Sequence, residues 1–462
     1  MVVLKCGFLE PCSKITEEGR LNMQLTSKLR FAVIFAGAGA LALTGLTACS
    51  SGGDTKGGDT GASGKPVTIK YLHRLPDGEG MTKVGDVVAQ WNKENPDIQV
   101  EAVKFDGKAQ ELIKKLETDV KAGTAPCLAQ VGYADLAEVY VKQLVEDVSG
   151  EISNYRDQFA AGPLDSMSID GKYFGLPQDT GPLVYYYNKA AFDELGLTVP
   201  TTADEFVETA KKAAEKGKFI VDFQTDEAGN MLPALSAAAG DQWFTIEGDA
   251  WKIDTAGAGS TKVADFWQKL LDAKATATVQ RWDEESWKAA LNSNLIGTIG
   301  AAWEAPLLAG DMAGTPNEGK WAVAQLPKFG DEAASGPDGG SGVAVVKGCA
   351  APAEAMKFNA WFNTQIDALV SQGLVVAAKG TMTTPEKVSA FYGGQDVFAE
   401  LAKANSAMKP FTYIPGWSAV QANAEVAAKA ADGSGKVADI FSWNADTAKS
   451  TLSNLDLKVS EK

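Results

Sequence analysis

Short apolar segments alternate with amphipathic segments along most of the chain, and this alternation constrains the fold more than any other feature of the sequence. Residues 67–72 and 99–105 are typical of strands, and residues 81–95 and 108–123 have the apolar spacing of amphipathic helices. A third, buried strand is predicted at residues 127–131. Strands that alternate with helices form layered structures, so the sequence predicts an α/β fold.

The same pattern continues further along the chain. We predict helices at residues 202–216 and 353–363 and strands at residues 183–187 and 343–347. A chain of 462 residues is long enough to form two separate hydrophobic cores. Two domains are therefore expected.

Two stretches are candidates for carrying the chain from one domain to the other. Residues 174–177 precede the apolar strand at 183–187, and residues 335–342 contain four glycines and a proline. Glycine permits large backbone rotations, which fits a hinge. A surface loop fits each stretch equally well.

The first 64 residues have the composition of a processing signal and a tether. Lys28 and Arg30 precede an uncharged apolar run at residues 31–46, which is the pattern of a signal peptide. A permanent transmembrane helix is disfavoured, because spanning a bilayer takes about 20 apolar residues. Residues 1–22 fit the pattern poorly, so we expect translation to start at Met23.

The apolar run ends in Leu-Thr-Ala-Cys at residues 46–49, which resembles the lipobox of bacterial lipoproteins. The resemblance implies that residues 1–48 are removed and that Cys49 carries a lipid which holds the protein to the outer face of the cell membrane. A buried cysteine at the end of a core helix is the alternative. Residues 49–64 are expected to form a flexible tether, with a root-mean-square reach of about 20 Å.

Charge and cysteine content narrow the class of protein further. The formal net charge of −16 argues against nucleic-acid partners and against electrostatic binding to an anionic membrane surface. Beyond Cys49 the chain has two cysteines, Cys127 and Cys349, and thiols of exported proteins oxidise readily. A disulfide between them and two separate buried thiols both fit the sequence.

Six short motifs follow one another along the mature chain. They are Trp-Asn-Lys-Glu-Asn-Pro at 91–96, Ala-Gly-Thr-Ala-Pro at 122–126, Tyr-Phe-Gly-Leu-Pro at 173–177, Tyr-Asn-Lys at 187–189, Gly-Ala-Ala-Trp at 300–303 and Gly-Gly-Ser at 339–341. Each motif is weak alone. In this order and behind a lipobox, they resemble the extracellular solute-binding proteins of ABC importers, in particular the large sugar-binding family that includes maltose-binding protein.

The resemblance implies an α/β fold of the periplasmic-binding-protein kind (type II), in which two lobes with doubly wound sheets enclose a ligand cleft. Lobe I is then expected at residues 65–178 and 341–395. Lobe II is expected at residues 179–340 and 396–462.

The resemblance also bears on the two cysteines. Many relatives carry an aspartate where this sequence has Cys127. In the family the late strand runs antiparallel beside the third strand, which places Cys349 near Cys127. The resemblance therefore favours a disulfide that lies away from the cleft.

A sugar site in the cleft is a further implication, since aromatic rings stack on sugars and polar side chains bind their hydroxyls. Trp303 and Trp417 match the stacking tryptophans of the family. The other candidates lie at strand ends, at the crossings or after a run of small residues: His73, Arg74, Tyr133, Asp135, Gln178, Asp179, Trp243, Gly340 and Ser341. Core packing is the alternative for the tryptophans, and a helix cap or a hinge hydrogen bond is the alternative for the aspartates.

Several enzyme signatures are absent from the sequence. It has no Gly-x-Ser-x-Gly elbow, no Walker loop and no His-Glu-x-x-His, and His73 is its only histidine. Asp226, Glu227 and Asn230 lie close together, but their spacing does not match an EF-hand loop, and a turn is expected. We expect no metal and no cofactor.

Taken with the resemblance, these features predict a binding protein without enzymatic activity. We expect it to capture a carbohydrate, specifically an oligosaccharide, by closure of its lobes and to deliver it to the membrane subunits of an ABC permease. A monomer is expected. The alternatives are a secreted glycoside-acting enzyme, which needs only two carboxylates, and a binding protein for a non-sugar solute.

Overall fold

The computed structural model describes residues 66–330 and 332–460. The predicted signal peptide, the lipidation site at Cys49 and the tether at residues 49–64 lie outside the described residues. Among the helices of the described part, none combines the length and the apolar character needed to cross a membrane.

Strands and helices alternate through the described residues. The strands are β1 (Val67–His73), β2 (Ile98–Lys104), β3 (Leu128–Gly132), β4 (Ser168–Ile169), β5 (Lys172–Tyr173), β6 (Gly175–Asn188), β7 (Phe244–Glu247), β8 (Ala250–Ile253), β9 (Gly297–Ala301), β10 (Trp321–Ala324), β11 (Pro337–Val345) and β12 (Val375–Val376). The α-helices are α1 (Val84–Glu94), α2 (Ala109–Ala122), α3 (Leu136–Val141), α4 (Ser149–Ile152), α5 (Ala161–Asp165), α6 (Lys189–Leu195), α7 (Ala203–Ala214), α8 (Ala228–Ala238), α9 (Ala258–Asp272), α10 (Glu284–Leu291), α11 (Glu304–Asp311), α12 (Pro352–Asn363), α13 (Ile366–Ser371), α14 (Glu386–Phe391), α15 (Val397–Ser406), α16 (Trp417–Val420), α17 (Ala424–Ala431) and α18 (Val437–Asn454). Short 3-10 helices span Tyr133–Asp135 and Arg156–Gln158.

Local sequence explains where the first helices begin and end. Helix α1 begins at Val84, three residues after the predicted start, because the Val84 N–H donates to Asp77 Oδ1 at 2.9 Å and so caps the helix there. Helix α2 ends at Gly123, whose φ of 68° lies in the left-handed region that glycine adopts without strain. The predicted order of strand and helix is confirmed over this part of the chain.

One mixed sheet organises the molecule. Its order is β10-β6-β11-β3-β1-β2, with β9 and β12 also paired to β6. Strand β1 lies parallel between β2 and β3, whereas β11 runs antiparallel to both β3 and β6. The strand predicted at residues 183–187 is the second half of β6, which begins at Gly175 and continues through the predicted crossing.

The buried apolar side chains form two large cores and a smaller third cluster. The first core includes Tyr71, Trp91 and Phe358, and the second includes Phe206 and Trp267. Residues 175–182 of β6 pair with β11, and residues 183–188 pair with β9 and β10. Leu176, Val184 and Tyr186 of β6 lie in the first core, whereas Leu183 and Tyr185 lie in the second, so this one strand contributes to both cores. The residue limits given above for the lobes stay a prediction.

A disulfide joins Cys127 to Cys349 across 222 residues of sequence. Strand β11 is antiparallel to β3, with Val345 opposite Leu128, so the ends of both strands meet beside the two cysteines. The predicted pairing and its location away from Tyr133, at the other end of β3, are confirmed. In the chain-entropy model, closing so long a loop stabilises the folded state by about 5 kcal/mol.

Candidate functional site

The carboxyl end of β3 meets the two strands that run between the cores. Ser341 of β11 lies opposite Gly132 of β3 and opposite Asp179 of β6. Tyr133 and Asp135 follow β3 directly in the 3-10 helix. Ligands of open α/β sheets bind beyond the carboxyl ends of the strands, so a site is expected at this junction.

A chain of hydrogen bonds crosses the sheet at the junction. The Ser341 hydroxyl and N–H both donate to Asp179 Oδ1, at 2.6 and 2.9 Å. Gln130 Nε2 donates to the Ser341 hydroxyl at 3.0 Å, and Gln130 Oε1 accepts the Arg74 N–H at 2.7 Å. Burial raises the pKa of Asp179 to about 6, although the bonds from Ser341 oppose the rise. Asp179 therefore ties β6 to β11 where they pass between the cores.

Two glycines allow aromatic side chains of both cores to approach the same backbone. Gly339 and Gly340 have φ values of 88° and 90°, in the left-handed region. A Cβ atom on Gly340 would lie 2.9 Å from the Tyr133 ring, and one on Gly339 would lie 3.1 Å from Trp303 Nε1. Both positions therefore require glycine. Tyr133 and Trp303 each contact this one turn of β11.

The 3-10 helix that follows β3 contributes polar groups that are withdrawn from water, and Tyr133 in it packs against the third, smaller cluster. The Tyr133 hydroxyl is buried and has no hydrogen-bond partner among the described residues. Burial, aided by the charge of Asp179, raises the pKa of Tyr133 well above its ordinary value. Burial also raises the pKa of Asp135 to about 7, while the Arg74 guanidinium opposes that rise. Such groups can exchange hydrogen bonds with the hydroxyls of a ligand.

Two tryptophans beside the junction have nearly parallel rings, and one of them, Trp303, packs against the second core. Trp303 is half-buried, and its Nε1 donates to the Asp338 carbonyl at 3.1 Å. The centroids of the Trp303 and Trp282 rings are 6.1 Å apart, and the planes differ by 12°. Trp282 is 50% exposed. We call Trp282 and Trp303 the paired tryptophans.

A buried ion pair holds the two segments that carry these tryptophans. Arg281 Nε and Nη2 donate to the two carboxylate oxygens of Glu304, at 2.7 and 2.8 Å. Arg281 directly precedes Trp282, and Glu304 directly follows Trp303. The Arg281 guanidinium also lies over the Trp282 ring at 4.9 Å from its centroid. The spacing of the paired tryptophans is therefore fixed by neighbouring charged groups.

Two more carboxyl groups of the second core lie beside the paired tryptophans. Glu227 Oε1 accepts the indole N–H of Trp282, and Glu227 Oε2 accepts a bond from Asn230 Nδ2 at 3.0 Å. Burial raises the pKa of Asp338 well above its ordinary value, and the charges of Glu227 and Glu304 add to that rise. A raised pKa favours the neutral form of a carboxyl group, which can donate a hydrogen bond as well as accept one.

Helix α16 contacts the 3-10 helix Tyr133–Asp135. Trp417, its first residue, is 1% exposed, and its ring packs against Tyr413. Trp417 Nε1 and Gln421 Nε2 are buried without a hydrogen-bond partner among the described residues. The Ser418 hydroxyl donates to Glu138 Oε2 at 2.8 Å, so a direct bond joins α16 to α3.

The structure brings most of the predicted site residues together at the junction. These are Arg74, Tyr133, Asp135, Asp179, Trp303, Gly340, Ser341 and, on α16, Trp417. Trp243 lies elsewhere: it is fully buried in the second core, where its Nε1 donates to Ser260 Oγ at 3.0 Å. Gln178 is buried beside the first core and donates to Tyr71 Oη and Asn363 Oδ1, and His73 is buried next to Tyr71.

Several residues at the junction were not predicted. Glu138 and Tyr413 are brought there by tertiary contacts, whereas Glu304 directly follows Trp303 and Asp338 lies within the predicted crossing at residues 335–342. Trp282 could have been found, since it lies in a polar segment without helical periodicity, where a tryptophan has no local core to enter.

Within residues 66–330 and 332–460, no group of three acidic, histidine or cysteine side chains is arranged to hold a metal ion. The Asp226 carboxylate instead accepts the N–H groups of Arg281 and Trp282, each at 2.9 Å. The acidic cluster noted in the sequence therefore anchors a loop 55 residues away.

Comparison with known proteins agrees with the geometry. Residues 77–365 match the family model described as bacterial extracellular solute-binding protein. A lactose-binding protein of Rhizobium radiobacter is 24% identical over 338 residues, which is 69% of this chain and 77% of that protein.

Solved structures extend the comparison. The galacto-N-biose-/lacto-N-biose I-binding protein of an ABC transporter from Bifidobacterium longum, in complex with lacto-N-biose, is 55% identical with a TM-score of 0.83, and the match covers 86% of this chain and 100% of that chain. An ABC transporter associated binding protein from B. animalis subsp. lactis Bl-04, in complex with β-1,6-galactobiose, is 25% identical with a TM-score of 0.71 and the same coverage. The two-lobed α/β fold that the sequence predicts is the fold of these neighbours.

Proposed function

The chain belongs to the bacterial extracellular solute-binding protein family, and from this premise we propose that it is the sugar-binding component of an ABC transporter. Similar proteins include a lactose-binding protein, an arabinooligosaccharide-binding protein and binding proteins in complex with lacto-N-biose and β-1,6-galactobiose. An extracytoplasmic location follows from the family.

The ligand that we propose is a disaccharide of galactose and an N-acetylhexosamine, such as lacto-N-biose or galacto-N-biose. The observation that carries this proposal is the 55% identity, over the whole length of the relative, to a protein in complex with lacto-N-biose. The junction suits a sugar, because it combines the half-buried ring of Trp303 with hydroxyl and carboxyl groups from both cores.

The sugar site that we propose lies between the two cores. Trp303 contacts a sugar ring, and the buried, unpartnered indole N–H of Trp417 binds a sugar hydroxyl, while Tyr133 and Asp135 bind hydroxyl groups from the 3-10 helix after β3. Asp179, Gly340 and Ser341 act in a different way, since they form the crossing about which the lobes close.

Lobe closure is the mechanism that we propose for capture. The bond from Ser418 to Glu138 joins the two cores beside the site, and it can form only when α16 and α3 are close together. A sugar that contacts both cores binds the closed form better than the open form, and therefore shifts the population toward closure. The sugar is released unchanged, and no bond is broken.

Attachment to the membrane completes the proposal. Cys49 carries the lipid, residues 49–64 tether the binding lobes, and the monomer delivers its sugar to the membrane subunits of the permease. Mass spectrometry of the membrane fraction tests the anchor: cleavage before Cys49 with a lipid on that residue supports it, and an unmodified Cys49 contradicts it.

A thermal-shift panel of sugars on the purified protein tests the proposed function. At 100 times its dissociation constant, a ligand adds about 2.7 kcal/mol of stability. We expect a clear upward shift with lacto-N-biose or galacto-N-biose and a smaller shift with maltose. Stabilisation by a non-sugar solute alone, or hydrolysis of the disaccharide detected by chromatography after incubation, would contradict the proposal.

A further inference from the structure

Trp282 is the one large aromatic side chain of the described residues that is both strongly exposed and held by several polar contacts. Its side chain is 50% exposed, which for a single surface residue is ordinary. Its immobilisation is not ordinary, because three acidic or basic residues fix its position. An exposed ring that is held rigid can contact a ligand with little loss of conformational entropy.

Two consecutive acidic residues, Asp226 and Glu227, accept hydrogen bonds from Trp282. The Asp226 carboxylate accepts the backbone N–H of Trp282 at 2.9 Å, and Glu227 accepts the indole N–H. Glu227 is in turn bonded by Asn230. The backbone and the ring of Trp282 are therefore fixed independently, by neighbouring residues at the start of α8.

The buried ion pair sets the relation between Trp282 and Trp303. Arg281 and Glu304 are 5% and 4% exposed, and two hydrogen bonds join them. Because each is adjacent in sequence to one of the paired tryptophans, the ion pair holds the two indole rings parallel. Replacing one partner of a buried ion pair that is joined by two hydrogen bonds strongly destabilises the protein, because the other charge is left buried without a partner.

We propose that Trp282 is a second sugar-contacting residue, which binds the sugar unit nearest to solvent, and that Glu227 and Arg281 are positioning residues for its ring. This inference rests on the proposed function and deepens it. Trp303, half-buried at the turn of β11, contacts the inner sugar unit, and the parallel exposed ring of Trp282 continues the aromatic surface outward. The pair then selects ligands of at least two sugar units over single sugars.

Titration calorimetry with lacto-N-biose, galactose and N-acetylglucosamine tests the inference. Trp282→Ala is expected to weaken binding of the disaccharide about tenfold, equivalent to about 1.4 kcal/mol. The affinity for the monosaccharide that occupies the inner position is expected to change less than twofold. Ile246→Ala is the matched control, because Ile246 is also exposed on the second lobe, at 63%, and lies in the β7–β8 hairpin.

The outcomes separate this inference from the proposed function. If the unaltered protein binds none of these sugars, the proposed function fails and the inference fails with it. If the unaltered protein binds the disaccharide and Trp282→Ala binds it equally well, the inference alone is overturned. Equal weakening of disaccharide and monosaccharide also overturns it, because Trp282 then does not contact the outer unit.

Two variants of Glu227 test the positioning role. Glu227→Gln keeps an acceptor for the indole N–H, so disaccharide affinity is expected to stay within about threefold of the unaltered protein. Glu227→Ala removes the acceptor and is expected to lose affinity as Trp282→Ala does. A ring held in one asymmetric environment contributes to near-ultraviolet circular dichroism, so Glu227→Ala should change the tryptophan band and Glu227→Gln should retain it. An unchanged band in Glu227→Ala would contradict the positioning role.

Discussion

Two groups of aromatic residues look alike in the sequence and differ in the structure. The buried aromatic cluster consists of Trp243, Phe244, Phe411, Trp417 and Phe441, whose rings meet mostly edge to face at 64° to 82°. The paired tryptophans instead lie parallel, at 12°, and keep part of their surface in water.

The polar neighbours account for the difference. Trp243 has a single polar partner, Ser260, and otherwise contacts apolar rings. Trp282 and Trp303 are bonded to Glu227 and to the Asp338 carbonyl. A ring held by hydrogen bonds can remain exposed in one orientation, whereas a ring held by packing must be buried. The first arrangement suits ligand binding and the second suits stability.

The largest effect is expected when the cluster loses its central ring. Trp243→Ala should lower the free energy of unfolding by about 3–5 kcal/mol, because Trp243 is fully buried and packs against three other rings. Chemical denaturation measures this loss. The affinity of the folded fraction for the sugar should be nearly unchanged, and a loss of affinity as large as that of Trp303→Ala would break the comparison.

Asp222 stabilises the segment that leads to Trp282, and its titration should make the free energy of unfolding depend on pH. Burial raises the pKa of Asp222 to about 8, and Asp222 Oδ1 accepts the Val279 N–H ahead of the loop that carries Trp282. The folded state therefore keeps a proton that the unfolded state releases above the ordinary pKa of 3.8. Relative to Asp222→Asn, the free energy of unfolding should fall by up to about 1.4 kcal/mol per pH unit between these pKa values and level off above pH 8. Parallel pH profiles of the two proteins would contradict the shift.

Trp303→Ala should affect binding far more than stability. Removing a central tryptophan contact is expected to cost about 2 kcal/mol of binding free energy, or roughly thirtyfold in the dissociation constant. Half-burial of the ring limits the loss of stability. Calorimetric titration measures the dissociation constant, and a denaturation curve measures the free energy of unfolding. A variant that loses stability but keeps its sugar affinity would show that Trp303 is a core residue like those of the buried aromatic cluster.

Trp417 has features of both the buried aromatic cluster and the paired tryptophans. Its ring packs in the cluster, yet its Nε1 is buried without a partner among the described residues. Trp417→Phe should therefore lower stability by about 1–2 kcal/mol and sugar affinity about fivefold. If only stability falls, the indole N–H does not reach the ligand and Trp417 is a core residue.

The smallest effect is expected for the contact between the lobes. Ser418→Ala removes the hydroxyl that bonds to Glu138, and should weaken sugar affinity by about 0.5–1 kcal/mol through a less favourable closed form. Small-angle scattering without sugar should show more of the open form. Ser442→Ala, on the exposed face of α18, is the control and should change neither quantity.

Sequence reasoning predicted the fold more fully than the site. The alternation of strands and helices, the helix predicted at residues 108–123 and the Cys127–Cys349 disulfide follow from local pattern and from resemblance, and the structure confirms them. Local pattern alone could not separate Trp243 from Trp303, because both follow runs of small residues. What separates them is tertiary: Phe411 and Phe441 close over Trp243, while Asp338 and Glu304 hold the surroundings of Trp303.

The contact between Asp179 and Ser341 at the crossing also could not be predicted from local sequence. Asp179 and Ser341 lie 162 positions apart, and only the pairing of β6 with β11 brings the hydroxyl onto the carboxylate. The polar segment around Trp282 marks it in the sequence, but its supporting residues, Asp226 and Glu227, lie more than 50 residues earlier and could not be predicted. Contacts over such separations leave no periodic trace in the sequence.

A crystal structure of the protein with lacto-N-biose tests the central claim most directly. The account predicts one disaccharide at the junction, with one sugar unit stacked on Trp303 and hydroxyl groups within hydrogen-bonding distance of Tyr133 and Asp135. A disaccharide bound away from the junction, or at the junction without contact to either of the paired tryptophans, would contradict it.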